Sequence, residues 1–120
     1  MSTFLLQLFK ICEDRQVHTT IRWSLDGLSF EVLNKQHFEK AILPVFFRHS
    51  NMNSFVRQLN MYDFHKRRRS LHDIIFYHPF FVKDRPDLLC QIKRKTNSQY
   101  SDVRKQEEFF KDTRREIKGD

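Results

Sequence analysis

Asp26-Gly27 stands between two short runs that alternate polar with apolar residues, in a chain with only 2 Gly and 3 Pro among 120 residues. Glycine enters left-handed turn geometry at no steric cost, so Asp-Gly between such runs is a strong hairpin signal. Ile21-Arg22-Trp23-Ser24 and Ser29-Phe30-Glu31-Val32-Leu33 therefore read as paired strands. With so few other turn formers, helices and short strands should make up the rest.

Ser2 or Thr3 can cap a first helix whose Phe4, Leu5, Leu8, Phe9 and Cys12 recur at helical spacing. Asn34 is a candidate cap for a second helix over Lys35–Ala41, with Phe38 and Ile42 facing inward. Pro44 should break or kink this path, because it lacks a backbone donor and clashes with the preceding turn. Val45-Phe46-Phe47 then resumes a buried helical stretch, and Arg48-His49-Ser50-Asn51 reads as a polar turn. Asn53 or Ser54 opens a third helix running to about Tyr62. Lys66–Asp73 reads as a loop ahead of a strand at Ile74–Tyr77, and Arg85-Pro86-Asp87 leads into a short helix, Leu88–Ile92. Helix, hairpin, helix, turn, helix, strand, loop, strand is an α+β winged helix-turn-helix order: a three-helix core with a small antiparallel β-sheet.

The chain is long enough for one compact domain, and 13 Phe supply apolar bulk for its core. That domain is expected over residues 1–96. Residues 97–120 read as a polar linker and helical extension, in which Val103, Phe110 and Ile117 fall at seven-residue spacing along one seam. Gln106 and Thr113 weaken the intervening positions, so these three points do not define a coiled coil.

Net charge is +7, and its placement is uneven. Residues 1–96 hold 16 Lys+Arg against 9 Asp+Glu, a net +7, whereas residues 97–120 hold 6 against 6. Between Pro44 and Ser70, Arg48, Arg57, Lys66, Arg67, Arg68 and Arg69 face Asp63 alone, and Lys93-Arg94-Lys95 adds a second basic cluster. Concentrated positive charge on a folded domain is the footprint of a polyanion partner. The two cysteines, Cys12 and Cys90, match no metal-ligand spacing, and the six His form no paired motif, so neither metal nor cofactor is expected. Nothing resembles a signal peptide, and no apolar run approaches ~18 residues, which points to a reducing, intracellular setting with free thiols.

On a helix at 100° per residue, Phe55, Val56 and Leu59 share a core-facing sector, while Ser54, Arg57, Gln58, Met61 and Tyr62 lie opposite. Asn60 falls at the border beside Arg57. An Arg fork can donate to guanine O6 and N7 together, and hydroxyl and amide groups can hold phosphates. An amphipathic helix whose polar face merely meets water has the same wheel, and the basic residues on either side of this one favour DNA reading. The run from His65 to Arg69 fits a phosphate-contacting wing, a nuclear localisation signal or a solvated loop.

Leu43-Pro44-Val45-Phe46-Phe47-Arg48-His49-Ser50-Asn51, followed by Ser54-Phe55-Val56-Arg57-Gln58-Leu59-Asn60-Met61-Tyr62, resembles the signature of the heat-shock transcription factor DNA-binding domain. The resemblance extends over roughly residues 3 to 96. It implies a winged helix-turn-helix that recognises inverted repeats of a short GAA-containing unit in double-stranded DNA and acts in the nucleus. By position, Arg57 corresponds to the arginine that reads guanine, with Asn60 close to the base edges. Arg48, Ser54, Gln58, Tyr62, Lys66 and Lys95 correspond to positions that hold phosphates. The family trimerises through a coiled coil that follows this domain, so a homo-oligomer is expected where a full coiled coil is present. Two departures stand out. The family usually has Gly where Asp63 stands, and Asp there is similar to a fungal subgroup of these regulators. The loop from Arg67 to Asp73 is short for the family's wing, which mainly meets neighbouring subunits.

An enzyme is disfavoured: no Gly-rich phosphate loop, metal cluster or nucleophile–base arrangement is legible. A winged helix that reads RNA or protein shares fold and charge. Such a reader has no special need for a groove-facing Arg57 flanked by Gln58 and Asn60.

Overall fold

The computed structural model describes residues 2–68 and 73–95. The expected linker and helical extension over 97–120, with its Val103, Phe110 and Ile117 seam, lies outside the described residues, as does Arg69 in the basic run.

Helix α1 spans Thr3–Glu13 and is capped by Ser2, whose Oγ accepts from the Leu5 amide at 3.4 Å. Leu5, Leu8, Ile11 and Cys12 form its buried stripe. A 3-10 turn, Arg15–Val17, leads to β1 (Ile21–Trp23) and β2 (Ser29–Val32), which pair antiparallel with Trp23 opposite Phe30. Between them Gly27 adopts φ 70, and Asp26 Oδ1 accepts from the Ser24 hydroxyl at 2.6 Å and the Leu28 amide at 3.0 Å. A Cβ on Gly27 would also come within 3.0 Å of Lys83 Cβ, so both backbone angle and space require glycine.

Helix α2 runs over 35–47, capped by Asn34 Oδ1 accepting from the His37 amide at 3.0 Å. Pro44, expected to break or kink this path, does not end the helix. An α-helical turn (Lys35–His37) widens into a π-helical segment (Phe38–Ile42), closed by the Leu43 amide donating to the Phe38 carbonyl, and Leu43–Phe47 continues as α-helix. The wide turn ends just before Pro44, whose ring supplies no N–H to the ladder, so the register shift absorbs what would otherwise be a break.

After a turn at residues 48–51 comes α3 (Met52–Met61), opened by Asn51, whose Oδ1 accepts from the amides of Asn53 at 2.8 Å and Ser54 at 3.3 Å. The helix thus starts slightly earlier than the sequence suggested. Strand β3 (His65–Arg67) pairs with β4 (Ile74–Tyr77), and β4 pairs with β2, giving an antiparallel sheet of order β1-β2-β4-β3. Lys66 and Arg67, expected in the loop, belong to β3. Pro86–Gln91 forms a 3-10 turn rather than the expected short helix from Leu88.

Phenylalanines join the layers. Phe55 on α3 lies 5.8 Å from Phe4 of α1, 5.0 Å from Phe38 and 5.8 Å from Phe47 of α2, and 6.4 Å from Phe30 of the sheet. Phe30 in turn meets Phe64, Phe76 and Phe81. One fully buried ring on α3 therefore touches every other layer, so the helix is held in orientation as well as in place. The arrangement is the winged helix-turn-helix that the element order predicted.

Candidate nucleic-acid interface

Helix α3 buries Met52, Phe55, Leu59 and Asn60, with Val56 half-buried beside them. These positions recur at i, i+3, i+4, i+7 and i+8, the spacing of a single helical face. The opposite face carries exposed Asn53, Ser54 and Arg57, with Gln58 and Met61 half-exposed. Arg57 stands midway along the helix with its guanidinium in solvent, the placement a base-reading fork needs. Ser54 lies one turn earlier on the same face, and Gln58 follows Arg57.

Arg48 is exposed in the turn ahead of α3 and takes φ 62. This left-handed residue ends α2 and turns the chain toward Asn51. His49 Nδ1 supports the turn by accepting from the Asn51 amide at 3.1 Å. Arg48 therefore sits beside the N-terminal end of α3, where the helix's own amides add positive potential.

Two residues expected on the outer face or at its border are buried. Asn60 is only 2% exposed, so its side chain faces the core, and among the described residues its Oδ1 has no hydrogen-bond partner. Asn60 follows Val56 by four residues, so the apolar stripe itself carries it inward. Tyr62 is also buried, at 8% exposed, rather than on the outer face. It caps α3 after the last regular turn, its ring stacks on Phe4, and its hydroxyl donates to Ser2 Oγ at 2.8 Å. The 100° wheel fails there because Tyr62 has already left helical geometry.

Lys66 is half-buried on β3 opposite Phe76, on the sheet rather than on α3. Arg67 folds back: it lies 3.5 Å from Asp26 Oδ2, donates to Ser29 Oγ at 3.4 Å, and its guanidinium carbon sits 5.2 Å from the centre of the Tyr77 ring. A cation so engaged is committed to holding β3 near the hairpin turn. The Ser24 hydroxyl, the Leu28 amide and Arg67 hold the Asp26 carboxyl below its usual range, the hydroxyl contributing most.

The chain's end returns to α3. The Lys95 amide donates to the Met61 carbonyl at 2.9 Å, Arg94 Nη2 donates to Met61 Sδ at 3.3 Å, and Lys95 Nζ lies 3.2 Å from Asp63 Oδ1. The second basic cluster is thus joined to the C-terminal end of α3 across more than thirty positions of sequence. Asp63 has φ 65, a conformation natural to the Gly that the resembling family usually carries there and tolerated by Asp. Sequence reasoning missed this pairing. The only hint was that Asp63 is the single acid within the basic stretch.

Among the described residues no group of three or more His, Cys, Asp or Glu could hold a metal ion, Cys12 and Cys90 are free, and no helix is long and apolar enough to cross a membrane. A cleft of about 730 Å³ by the β1–β2 hairpin is lined by Glu13, Arg22, Glu31 and Lys83 among others, away from α3.

The model of one protein family, described as HSF-type DNA-binding, matches residues 4–95. The transcription factor SKN7 of Chaetomium thermophilum is 44% identical over 117 residues, which cover 90% of this chain and 15% of that protein. The heat shock factor protein of Drosophila melanogaster is 43% identical over 103 residues, 79% of this chain and 15% of its own length. The crystal structure of Chaetomium thermophilum Skn7 with HSE DNA is similar at a TM-score of 0.73 and 51% identity, covering 78% of this chain and 100% of that one. The same protein with SSRE DNA gives 0.75 and 49%, with the same coverage. The chain spans about 15% of the length of both curated relatives.

Proposed function

The chain belongs to the HSF-type DNA-binding family, and on that premise we propose that it reads inverted repeats of a GAA-containing unit through α3 lying in the major groove. It is a DNA-binding transcription factor domain of a family of regulators, not of enzymes. The observation that carries the finer reading is Arg57, exposed at the middle of a helix whose other face is locked by Phe55 and Leu59. A fork held on a rigid helix can donate two parallel bonds to guanine, the base edge with two adjacent acceptors in that groove.

Ser54, Gln58 and Arg48 surround Arg57 and hold phosphates, fixing register without reading sequence. Lys95 reaches the backbone from the far end of α3, and Lys66 meets it from the sheet. Asn60 and Tyr62 act indirectly, by fixing the helix against the core. The site of action is the nucleus. One such module reads a short site, so linked copies on adjacent repeats raise affinity and selectivity, and a homo-oligomer is the assembly that provides them.

The test is binding to duplexes with two or three inverted GAA repeats, against scrambled duplexes, at ~150 mM salt. Selective binding that strengthens with each added repeat is expected. Equal, strongly salt-dependent binding to both duplexes overturns the GAA reading and leaves only a basic winged helix.

A further inference from the structure

We propose that Asp63 is a specificity-determining positioning residue, whose carboxylate holds Lys95 so that its ammonium meets a backbone phosphate only in the register set by Arg57. The inference rests on α3 being the DNA-reading helix.

Three observations carry it. Asp63 Oδ1 lies 3.2 Å from Lys95 Nζ, and the same oxygen lies 3.6 Å from His65 Nε2. The Lys95 side chain is only 10% exposed, unlike that of Asp63 at 50%, so the lysine stem lies packed along the fold and carries the ammonium to Asp63. The backbone is clamped as well, through the Lys95 amide on the Met61 carbonyl and Arg94 on Met61 Sδ. Asp63 reaches this position because its φ of 65 turns the chain sharply at the end of α3.

The consequence follows from what a free ammonium does near DNA. A mobile lysine takes any phosphate within reach and releases a counterion each time, which strengthens binding to every sequence alike. A lysine already paired with a carboxylate has little charge left for indiscriminate attraction. Held at one point relative to α3, it contributes fully only when a phosphate arrives at that point. Such preorganisation favours the seated complex over the sliding one. Gly at position 63 would leave the ammonium without this partner, so domains with Asp and with Gly there should differ in how sharply they discriminate.

The experiment measures binding of the full chain to a GAA-repeat duplex and a scrambled duplex across a salt series, for wild type, Asp63→Asn, Lys95→Gln and the double variant. Asn keeps the size of the side chain and tolerates the left-handed conformation. Asp63→Asn is expected to tighten scrambled binding about fivefold at ~150 mM salt and to steepen the salt slope by about one unit, as one further neutralised phosphate does. Repeat binding should change less, so the ratio between the two falls. In the Lys95→Gln background, Asp63→Asn should leave that ratio unchanged.

Equal strengthening of both duplexes by Asp63→Asn overturns the proposal, since removal of a negative charge then accounts for everything. So does a ratio that falls equally with and without Lys95. If wild type itself binds no duplex selectively, the DNA-reading assignment of α3 fails, and the present inference fails with it. Melting curves confirm that each variant is folded, and Asp63→Gly serves in place of Asp63→Asn if the latter is not.

Discussion

The rings of Phe4 and Tyr62 lie nearly parallel, 5° apart in tilt with centroids 5.7 Å apart. The Tyr62 hydroxyl also donates to Ser2 Oγ, the cap of the first helix, at 2.8 Å. The start of α1 therefore braces the end of α3. Tyr62→Phe removes one hydrogen bond but keeps the stack, and should cost about 0.5–1.5 kcal/mol of stability. Tyr62→Ala also removes the ring and should cost about 3–5 kcal/mol, like other large aromatic truncations. Thermal or urea unfolding checks both. A Tyr62→Phe variant with unchanged stability and strongly weakened DNA binding would return Tyr62 to the phosphate-contacting role that its sequence position suggested.

Arg57 is exposed on the face of α3 opposite its buried residues, so its truncation should leave stability nearly unchanged. Arg57→Ala is expected to lose about 1–3 kcal/mol of discrimination at one guanine position, flattening preference there alone. Arg57→Lys keeps the charge and loses the planar fork, so it should retain overall affinity better than selectivity. Competition binding with single-base substitutions in the repeat reads both effects. Intact base preference in Arg57→Ala would remove the residue from base readout.

Arg48 combines a strained backbone with an exposed charge. Its φ of 62 lies where a side chain pays a steric cost of about 1 kcal/mol that Gly avoids. Arg48→Gly should therefore be neutral to stabilising in unfolding experiments, yet weaken binding to all duplexes alike and reduce the salt slope by about one unit. Stability and binding moving in opposite directions is the signature. A fall in stability would show that the arginine side chain, and not only the turn, supports the fold.

His78 is buried, and that burial pushes its imidazole below the ordinary histidine value, against the opposing pull of Asp63. Its Nδ1 accepts from the Phe80 amide at 3.0 Å, a bond that only the unprotonated nitrogen can make. The unfolded chain thus takes up this proton more readily than the folded one. The stability His78 contributes is present above about pH 6.5, and is lost as pH falls through that value toward the lower folded one. His78→Asn can keep an acceptor for Phe80 but cannot titrate, so its melting temperature should fall less between about pH 7.5 and pH 5. Parallel curves for wild type and variant would exclude His78 as a source of the pH dependence.

Much of the fold was legible because it rests on local signals. The Asp26-Gly27 turn, the Asn34 cap and the apolar periodicity of α1 each depend on residues within a few positions of one another. The same holds for the outward placement of Ser54 and Arg57, since helix geometry alone sets it once Phe55 and Leu59 are given to the core. Pro44 was read correctly as a disturbance. Its outcome is a widened turn over Phe38–Ile42 instead of a break, with Phe38 and Phe47 both packed against Phe55.

What residue type, spacing and charge determined by themselves was a basic winged helix-turn-helix presenting Arg57 on one face of a short helix. The tertiary structure alone decided that Asn60 faces the core, that Tyr62 is tied to Ser2, that Arg67 is held at the hairpin, and that Lys95 lies on Asp63. The division has a physical cause. Helical and strand periodicity is set by backbone geometry, which each segment carries with it. A polar side chain's hydrogen-bond partner is set by whichever distant segment the collapsed core brings within about 3 Å of it.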